Sequence, residues 1–266
     1  MSATFSFTRL GKLITKQFFE NSKLYLYSVL ALFGLLAIVF SIWISIGEPN
    51  YAEEETYIIF LIGLFITGTI FASMSFNMLG RKDKGIYWLG IPATHFEKLV
   101  STVLFSTVLF FIVYCICFYI VKLIAVGYLS TLVDTKPGYS YREMTDFASS
   151  NFVQIFKNFI FGYFAVQALY LFGSVYFPRY SFILTTVVGA GLMFLFGYYM
   201  SQLDDIFSPD NWEMLSVRRE IAESQGSYQL FSVSDTVKNI LKYGVQFIWV
   251  PVFWLATWFR LKEKEI

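Results

Sequence analysis

Histidine, cysteine and charge are all scarce in this chain, and each scarcity excludes something. Among 266 residues there is one histidine, His95, and two cysteines, Cys115 and Cys117. A single imidazole cannot supply a histidine-rich metal, haem or quinone site. It also leaves any intramembrane serine without a base, since His95 sits in a polar loop with nothing nearby to orient it. The cysteines lie together in a long apolar run, form no metal pattern and say nothing about redox compartment. Charged residues make up only 15% of the chain, where soluble domains carry about a quarter. No G-x-x-x-x-G-K-[ST] phosphate loop is present: Gly11-Lys12 is followed by Leu13. With a net charge of +1 and no basic stripe interleaved with aromatics, the chain has no field to attract nucleic acid. The expectation is a protein without catalytic residues, metal or cofactor of its own.

What the chain does have is apolar surface. It is 56% hydrophobic and 21% aromatic, with a mean hydropathy of +0.58. These residues are gathered into runs, and about 20 in a row suffice for a helix to cross roughly 30 Å of hydrocarbon. The pattern predicts an all-α integral membrane protein, a single domain over residues 1–266. Six spans are expected: Leu24 to Ile46, Tyr57 to Leu79, Leu99 to Ala125, Phe159 to Phe177, Phe182 to Met200 and Tyr243 to Phe259. The fourth has the option of an earlier start at Phe152, with Gln154 and Lys157 interrupting it, and Pro251 is expected to kink the sixth. Pro178, Arg179, Tyr180 and Ser181 leave room only for a tight hairpin between the fourth and fifth. Before the first span, residues 5 to 20 are amphipathic. Phe7, Leu10, Ile14 and Phe18 recur at helical spacing opposite Arg9, Lys12, Lys16 and Glu20. This predicts an interfacial helix with its aromatics in the bilayer. The first apolar run follows that charged segment and lacks a small-residue cleavage site, so no cleaved leader is expected.

Charge sets the orientation. With the N-terminus inside, the inner segments carry 12 cations: Arg9, Lys12, Lys16, Lys23, Arg81, Lys82, Lys84, Lys98, Arg179, Arg260, Lys262 and Lys264. They carry five acids: Glu20, Asp83, Glu97, Glu263 and Glu265. Short cytoplasmic loops favour Lys and Arg, so both termini are expected in the cytoplasm of a plasma membrane, the inner membrane in a bacterium. The polar segments 126–158 and 201–242 then lie outside, the second with an amphipathic stretch around Trp212 to Ile221.

Within the spans, Thr69, Ser73 and Asn77 share one face of the second. They serve either as interhelical hydrogen-bond contacts or as the lining of a path, and Gln167 and Gln246 carry the same two readings. Lys122 is expected to snorkel. The most informative stretch is residues 84–98, Lys-Gly-Ile-Tyr-Trp-Leu-Gly-Ile-Pro-Ala-Thr-His-Phe-Glu-Lys. Pro92 ends any preceding helix. Thr94 with Glu97 fits a capping box that would open the third span in the cytoplasm. Lys84 to Leu89 suits a short helix along the membrane surface, gripped by Tyr87 and Trp88. On composition alone, this is an ordinary cationic inner loop or a rigid element on which a soluble partner docks.

Ile91, Pro92, Ala93, Thr94, Glu97 and Lys98 resemble the Leu-Pro-Ala-Ser-x-x-Glu-Lys segment that many ABC-2-type transporter permeases carry between their second and third spans. Ile91 replaces the usual Leu and Thr94 the Ser. The amphipathic N-terminal helix, the six spans and the cytoplasmic termini resemble that family as well. The resemblance implies a permease subunit, more often an exporter, that works as a dimer with a second permease copy or homologue. Separate ABC ATPase subunits would bind the ATP. It also implies that Arg81, Lys82, Lys84, Tyr87, Trp88, Glu97 and Lys98 face the ATPase. One departure is that the family often has a short apolar re-entrant hairpin before its last span, where residues 201–242 here are long and charged. The alternative is a membrane protein with no ATPase partner: a sensor, or an assembly or immunity factor.

Overall fold

The computed structural model describes residues 5–47, 50–143, 151–203, 216–220, 228–232 and 234–264. The fold is all-α apart from two small strand pairs. Helix α1 (Phe7–Glu20) precedes α2 (Ser22–Ile46), and strand β1 (Asn50–Ala52) leads into α3 (Glu53–Met74). A 3₁₀ turn (Asn77–Gly80) and the short α4 (Lys82–Leu89) follow. Then come α5 (His95–Val103), a π-helical stretch (Leu104–Leu109) and α6 (Phe110–Thr135). Strand β2 (Ser140–Arg142), α7 (Asn151–Tyr176) and α8 (Ser181–Leu203) come next. Strands β3 (Ser216–Glu220) and β4 (Tyr228–Ser232) and helix α9 (Asp235–Glu263) complete the order.

Among the described residues, four helices are long and apolar enough to cross a membrane: Ser22–Ile46, Glu53–Met74, His95–Thr135 and Ile155–Tyr176, with a shorter apolar helix at Ser181–Leu195. Between 17% and 39% of each long apolar window is buried inside the protein. Most of that surface therefore faces outward. Ile62 and Ile66 on α3 and Ile112 and Ile116 on α6 are all exposed. Water would not tolerate continuous apolar faces of this extent on a soluble protein, whereas lipid does.

Three boundaries differ from those read in the sequence. The second apolar run does not stay helical to Leu79: α3 ends at Met74 and the chain tightens into the 3₁₀ turn. Gly80 shows why a turn is needed there. A Cβ on it would lie 2.8 Å from the carbonyl oxygen of Pro178, so the corner between α7 and α8 sits directly on this turn. The third run does not stop at Ala125, because α5, the π stretch and α6 form one helix of 41 residues. Hydropathy marks where hydrocarbon ends, not where backbone hydrogen bonding ends. Helix α9 likewise begins before Tyr243, at Asp235, whereas α7 begins at Asn151, next to the earlier of its two expected starts. In the 201–242 segment, the part of the amphipathic stretch that is described is strand β3, paired antiparallel with β4; Trp212 lies outside the described residues.

Two cores hold the bundle. At one end Leu36 and Phe40 of α2, Leu64 of α3, Tyr114 and Phe118 of α6, and Tyr163 of α7 are buried together. The Tyr114 hydroxyl donates to the Phe60 carbonyl at 2.9 Å. Lipid is as apolar as leucine, so burial alone does not drive such contacts. Close packing and interhelical hydrogen bonds of about 0.5–2 kcal/mol do. The other core unites Phe76, Leu99 and Val103 with Leu171 and Val175 of α7 and Leu261 of α9. It lies at the end of the bundle that carries α1 and α4.

At the opposite end β1 pairs in parallel with β2. The three glutamates opening α3, where acids complement the helix dipole, are all engaged. Lys122 Nζ lies 2.7 Å from Glu53 and 4.5 Å from the Tyr57 ring centre. Arg142 pairs with Glu54 at 3.0 Å, and the Trp43 indole N–H donates to Glu55 at 2.8 Å. Lys122 thus reaches a carboxylate at the start of α3.

Candidate functional site

The stretch from Arg81 to Lys98 is built on the Pro92 break. After α4, Gly90 closes the helix, and the Ala93 N–H donates to the Ile91 carbonyl at 2.7 Å in a tight turn around Pro92. The expected capping box is present. The Glu97 N–H donates to Thr94 Oγ1 at 3.1 Å, and the Thr94 N–H donates to Glu97 Oε2 at 2.8 Å. Two otherwise orphan N–H groups are thereby satisfied where α5 begins.

The other carboxylate oxygen of Glu97 does something that no short-range pattern signals. Oε1 accepts from the Ser6 N–H at 2.7 Å and from Arg9 Nε and Nη2 at 3.3 and 3.2 Å. Glu97 is fully buried. That burial pushes its carboxyl pKa up. The N–H donors of Thr94 and Ser6 and the Arg9 guanidinium outweigh it and hold the group below its ordinary value. It precedes the apolar run that begins at Leu99.

Lys98 is buried beside it. Its Nζ donates to the Leu89 carbonyl at 2.7 Å and lies 5.3 Å from the Trp88 ring centre. The ammonium thus serves a free carbonyl at the C-terminal end of α4, where the helix dipole favours a cation. Trp88 packs edge-on against Phe76 at 5.5 Å. The structure therefore corrects the reading of Glu97 and Lys98 as surface contacts: both are structural ties beneath the surface. Trp88 is half-buried with them. Arg81, just before α4, and Lys82, Lys84 and Tyr87 on it remain exposed. Arg81 pairs with Asp83 at 3.4 Å across a fully exposed surface, which contributes little. The Lys84 N–H and then Arg81 hold the Asp83 carboxyl below its usual range.

Helix α1 belongs to the same assembly. The Tyr87 hydroxyl donates to Glu20 at 3.0 Å, and Lys16 Nζ sits 4.7 Å from the Tyr87 ring centre. Ser101 of α5 donates to Gln17 at 2.8 Å. Leu13 is buried. Arg9, Leu13 and Gln17 thus form a stripe turned toward α5. The predicted apolar stripe lies beside it, with Phe7 and Phe18 exposed and Leu10 and Ile14 half-buried. Arg9 and Lys16 were expected to point at head groups and are instead engaged with the protein.

The predicted polar face of the second span separates. Thr69 and Ser73 are buried, but their hydroxyls donate to carbonyls of their own helix, at Phe65 and Ile70, at 2.8 and 2.7 Å. Neither makes an interhelical hydrogen bond. Asn77 is exposed in the 3₁₀ turn, off the helix altogether. Gln167 is fully buried with no hydrogen-bond partner for either amide atom. It packs so tightly on Gly68 that a Cβ there would lie 2.3 Å from its Nε2. Gln246 lies on α9, and its side chain is outside the described residues. Among the described residues no group of histidine, cysteine and carboxylates could hold a metal ion.

Compared with protein-family descriptions, with curated proteins and with solved structures, the chain finds no match in any of the three.

Proposed function

We propose that this chain is the membrane-spanning permease subunit of an ABC-2-type transporter, an exporter driven by a separate ATPase subunit. In this reading α2, α3, the continuous α5–α6 helix from Leu99 onward, α7, α8 and α9 are six spans, and both termini are cytoplasmic. The permease pairs with a second copy or a homologue. The observation that carries the reading is the Thr94–Glu97 capping box that starts a 41-residue helix directly after the Pro92 break. A push on α4 reaches α5 through the Lys98 tie to the Leu89 carbonyl and reaches α1 through Tyr87 and Glu20. It is not lost in a floppy linker. The exposed Arg81, Lys82, Lys84 and Tyr87 are the surface offered to the ATPase, and Trp88, Glu97 and Lys98 fix that surface to the span beneath.

Expression with a candidate ATPase subunit, purification in mild detergent and pull-down test this. The wild type retains the ATPase, and reversal of Arg81, Lys82 and Lys84 to Glu releases it, through loss of charge complementarity. If no ATPase co-purifies with the wild type, or if the triple reversal inserts normally and leaves binding and transport unchanged, docking is wrong. The sensor, assembly or immunity reading then takes precedence.

A further inference from the structure

A groove of about 540 Å³ runs between α5 and α9, walled by residues that include Phe96, Val100, Val103, Pro251, Leu255 and Trp258. The two helices are antiparallel here. The groove has Phe96 and Trp258 at the end where α5 begins and α9 ends, and Val103 and Pro251 at the other end. From Phe96 to Val103 is two helical turns, a depth of roughly 10 Å. Tryptophan at the mouth marks the level of the head groups. Below that level the walls are apolar apart from the indole N–H of Trp254.

The α9 wall follows one stripe: Pro251, Leu255, Trp258. One turn further, four residues after Trp258, stands Lys262, which is exposed. Among the described residues, the acid next to it is engaged elsewhere. Glu263 is taken by Arg260, whose guanidinium also lies 4.9 Å from the Tyr176 ring centre; Glu265 is outside the described residues. A greasy slot with a cation at its lip is the arrangement that selects an anionic lipid head group over a zwitterionic one.

We propose that this groove binds one anionic phospholipid, with an acyl chain between Val100 and Leu255 and the phosphate at Lys262. Size argues against a second copy of the chain as the occupant. The volume is that of a small-molecule site, whereas a stable protein interface buries roughly 1,200–2,000 Å². The proposal rests on the chain lying in a membrane and is independent of any ATPase.

The test is native mass spectrometry of the full chain in mild detergent with equal amounts of phosphatidylglycerol and phosphatidylcholine of identical tails. The wild type should retain one phosphatidylglycerol, preferred by about fivefold, the equivalent of about 1 kcal/mol for one surface cation. Lys262→Gln should erase the preference. Val100→Trp and Leu255→Trp, filling the groove from either wall, should each abolish retention, while Val187→Trp on an exposed face of α8 should not. Equal retention of the two lipids by the wild type overturns the proposal, as does unchanged retention in both groove-filling variants. Disulfide cross-linking of Val100→Cys between two copies, with lipid excluded, would assign the groove to a dimer instead. Lys262 lies outside the packed core, so its variant decides the matter even if a tryptophan variant fails to fold.

Discussion

Arg9 and Glu97 are 88 residues apart in sequence, yet Arg9 Nη2 lies 3.2 Å from Glu97 Oε1. The same carboxylate caps α5 through Thr94 and receives the Ser6 N–H at the start of α1. One side chain therefore fixes two helix N-termini at once. Carboxylates are favoured at such ends because the free N–H groups there carry partial positive charge. The consequence is that α1 and α5 share one junction, which makes the amphipathic helix a part of the fold.

Glu97→Ala removes the acceptor for all of these donors. Loss of a cap typically costs about 0.5–2 kcal/mol, and leaving buried donors unpaired adds about 1–3 kcal/mol. Arg9 is 39% exposed, so water recovers part of its share. The expected result is a lower melting temperature in detergent together with faster proteolysis within α1. A variant that melts and digests like the wild type would show that Glu97 is not the tie.

The same carboxylate gives a pH dependence with a definite sign. The folded pKa of Glu97 is depressed, so its contribution is fully present above the unfolded value of about 4.3 and is lost as pH falls through the folded value. Thermal stability of the wild type should fall on acidification below about pH 4.3. Glu97→Gln should lack that component of the fall while being less stable at neutral pH. Parallel pH profiles for the two proteins would contradict the assignment.

At the opposite end, Lys122 and Glu53 are mostly shielded, with side chains 16% and 19% exposed. Removing one partner of such a pair leaves an uncompensated charge and costs about 3 kcal/mol, whereas replacing both costs less. Lys122→Met and Glu53→Gln should each destabilise the protein more than the double variant does. A double-mutant cycle on melting temperature measures this, and additive losses would show that the pair contributes no coupling.

The capping box and the α1 helix were legible because both are written in short-range spacing, three residues apart for Thr94 and Glu97 and three to four for the stripe. Apolar length likewise gave the four long helices. What the sequence could not give were partners far along the chain. Nothing near Glu97 announces Ser6 or Arg9, and nothing near Lys122 announces Glu53, 69 residues away. Asn77 was misplaced for another reason: helical spacing presumes an unbroken helix, and α3 ends at Met74. Lys98 looked like one more cation of an inner loop, since spacing alone does not reveal that its ammonium caps α4 from beneath.

The 12-to-5 excess of cations over acids on the proposed inner segments predicts that both ends of the chain face the cytoplasm. In a background with Cys115 and Cys117 replaced by alanine, single cysteines at Ser140 and Gln225 should react with a membrane-impermeant maleimide in intact cells. One at Lys84 should react only after permeabilisation. Labelling at Lys84 in intact cells would reverse the orientation and remove α4 as a cytoplasmic docking surface.

The two stripes of α1 can be separated by experiment. Phe7 and Phe18 are exposed to the surroundings, at 80% and 48%, whereas Leu13 is 7% exposed. If the exposed stripe is seated in lipid, Phe7→Asp with Phe18→Asp loses two aromatic anchors at the interface but leaves the Glu97 junction intact. That variant should keep its melting temperature in detergent and lose quenching of an α1 fluorophore by brominated lipid in vesicles. Leu13→Asp places an unpaired carboxylate in a packed contact and should do the reverse, lowering the melting temperature in detergent where no bilayer is present. The crossed pattern is the point of the experiment. Destabilisation of both variants in detergent would mean that the Phe7 and Phe18 face also packs on protein, and α1 would then be a buried helix and not an interfacial one.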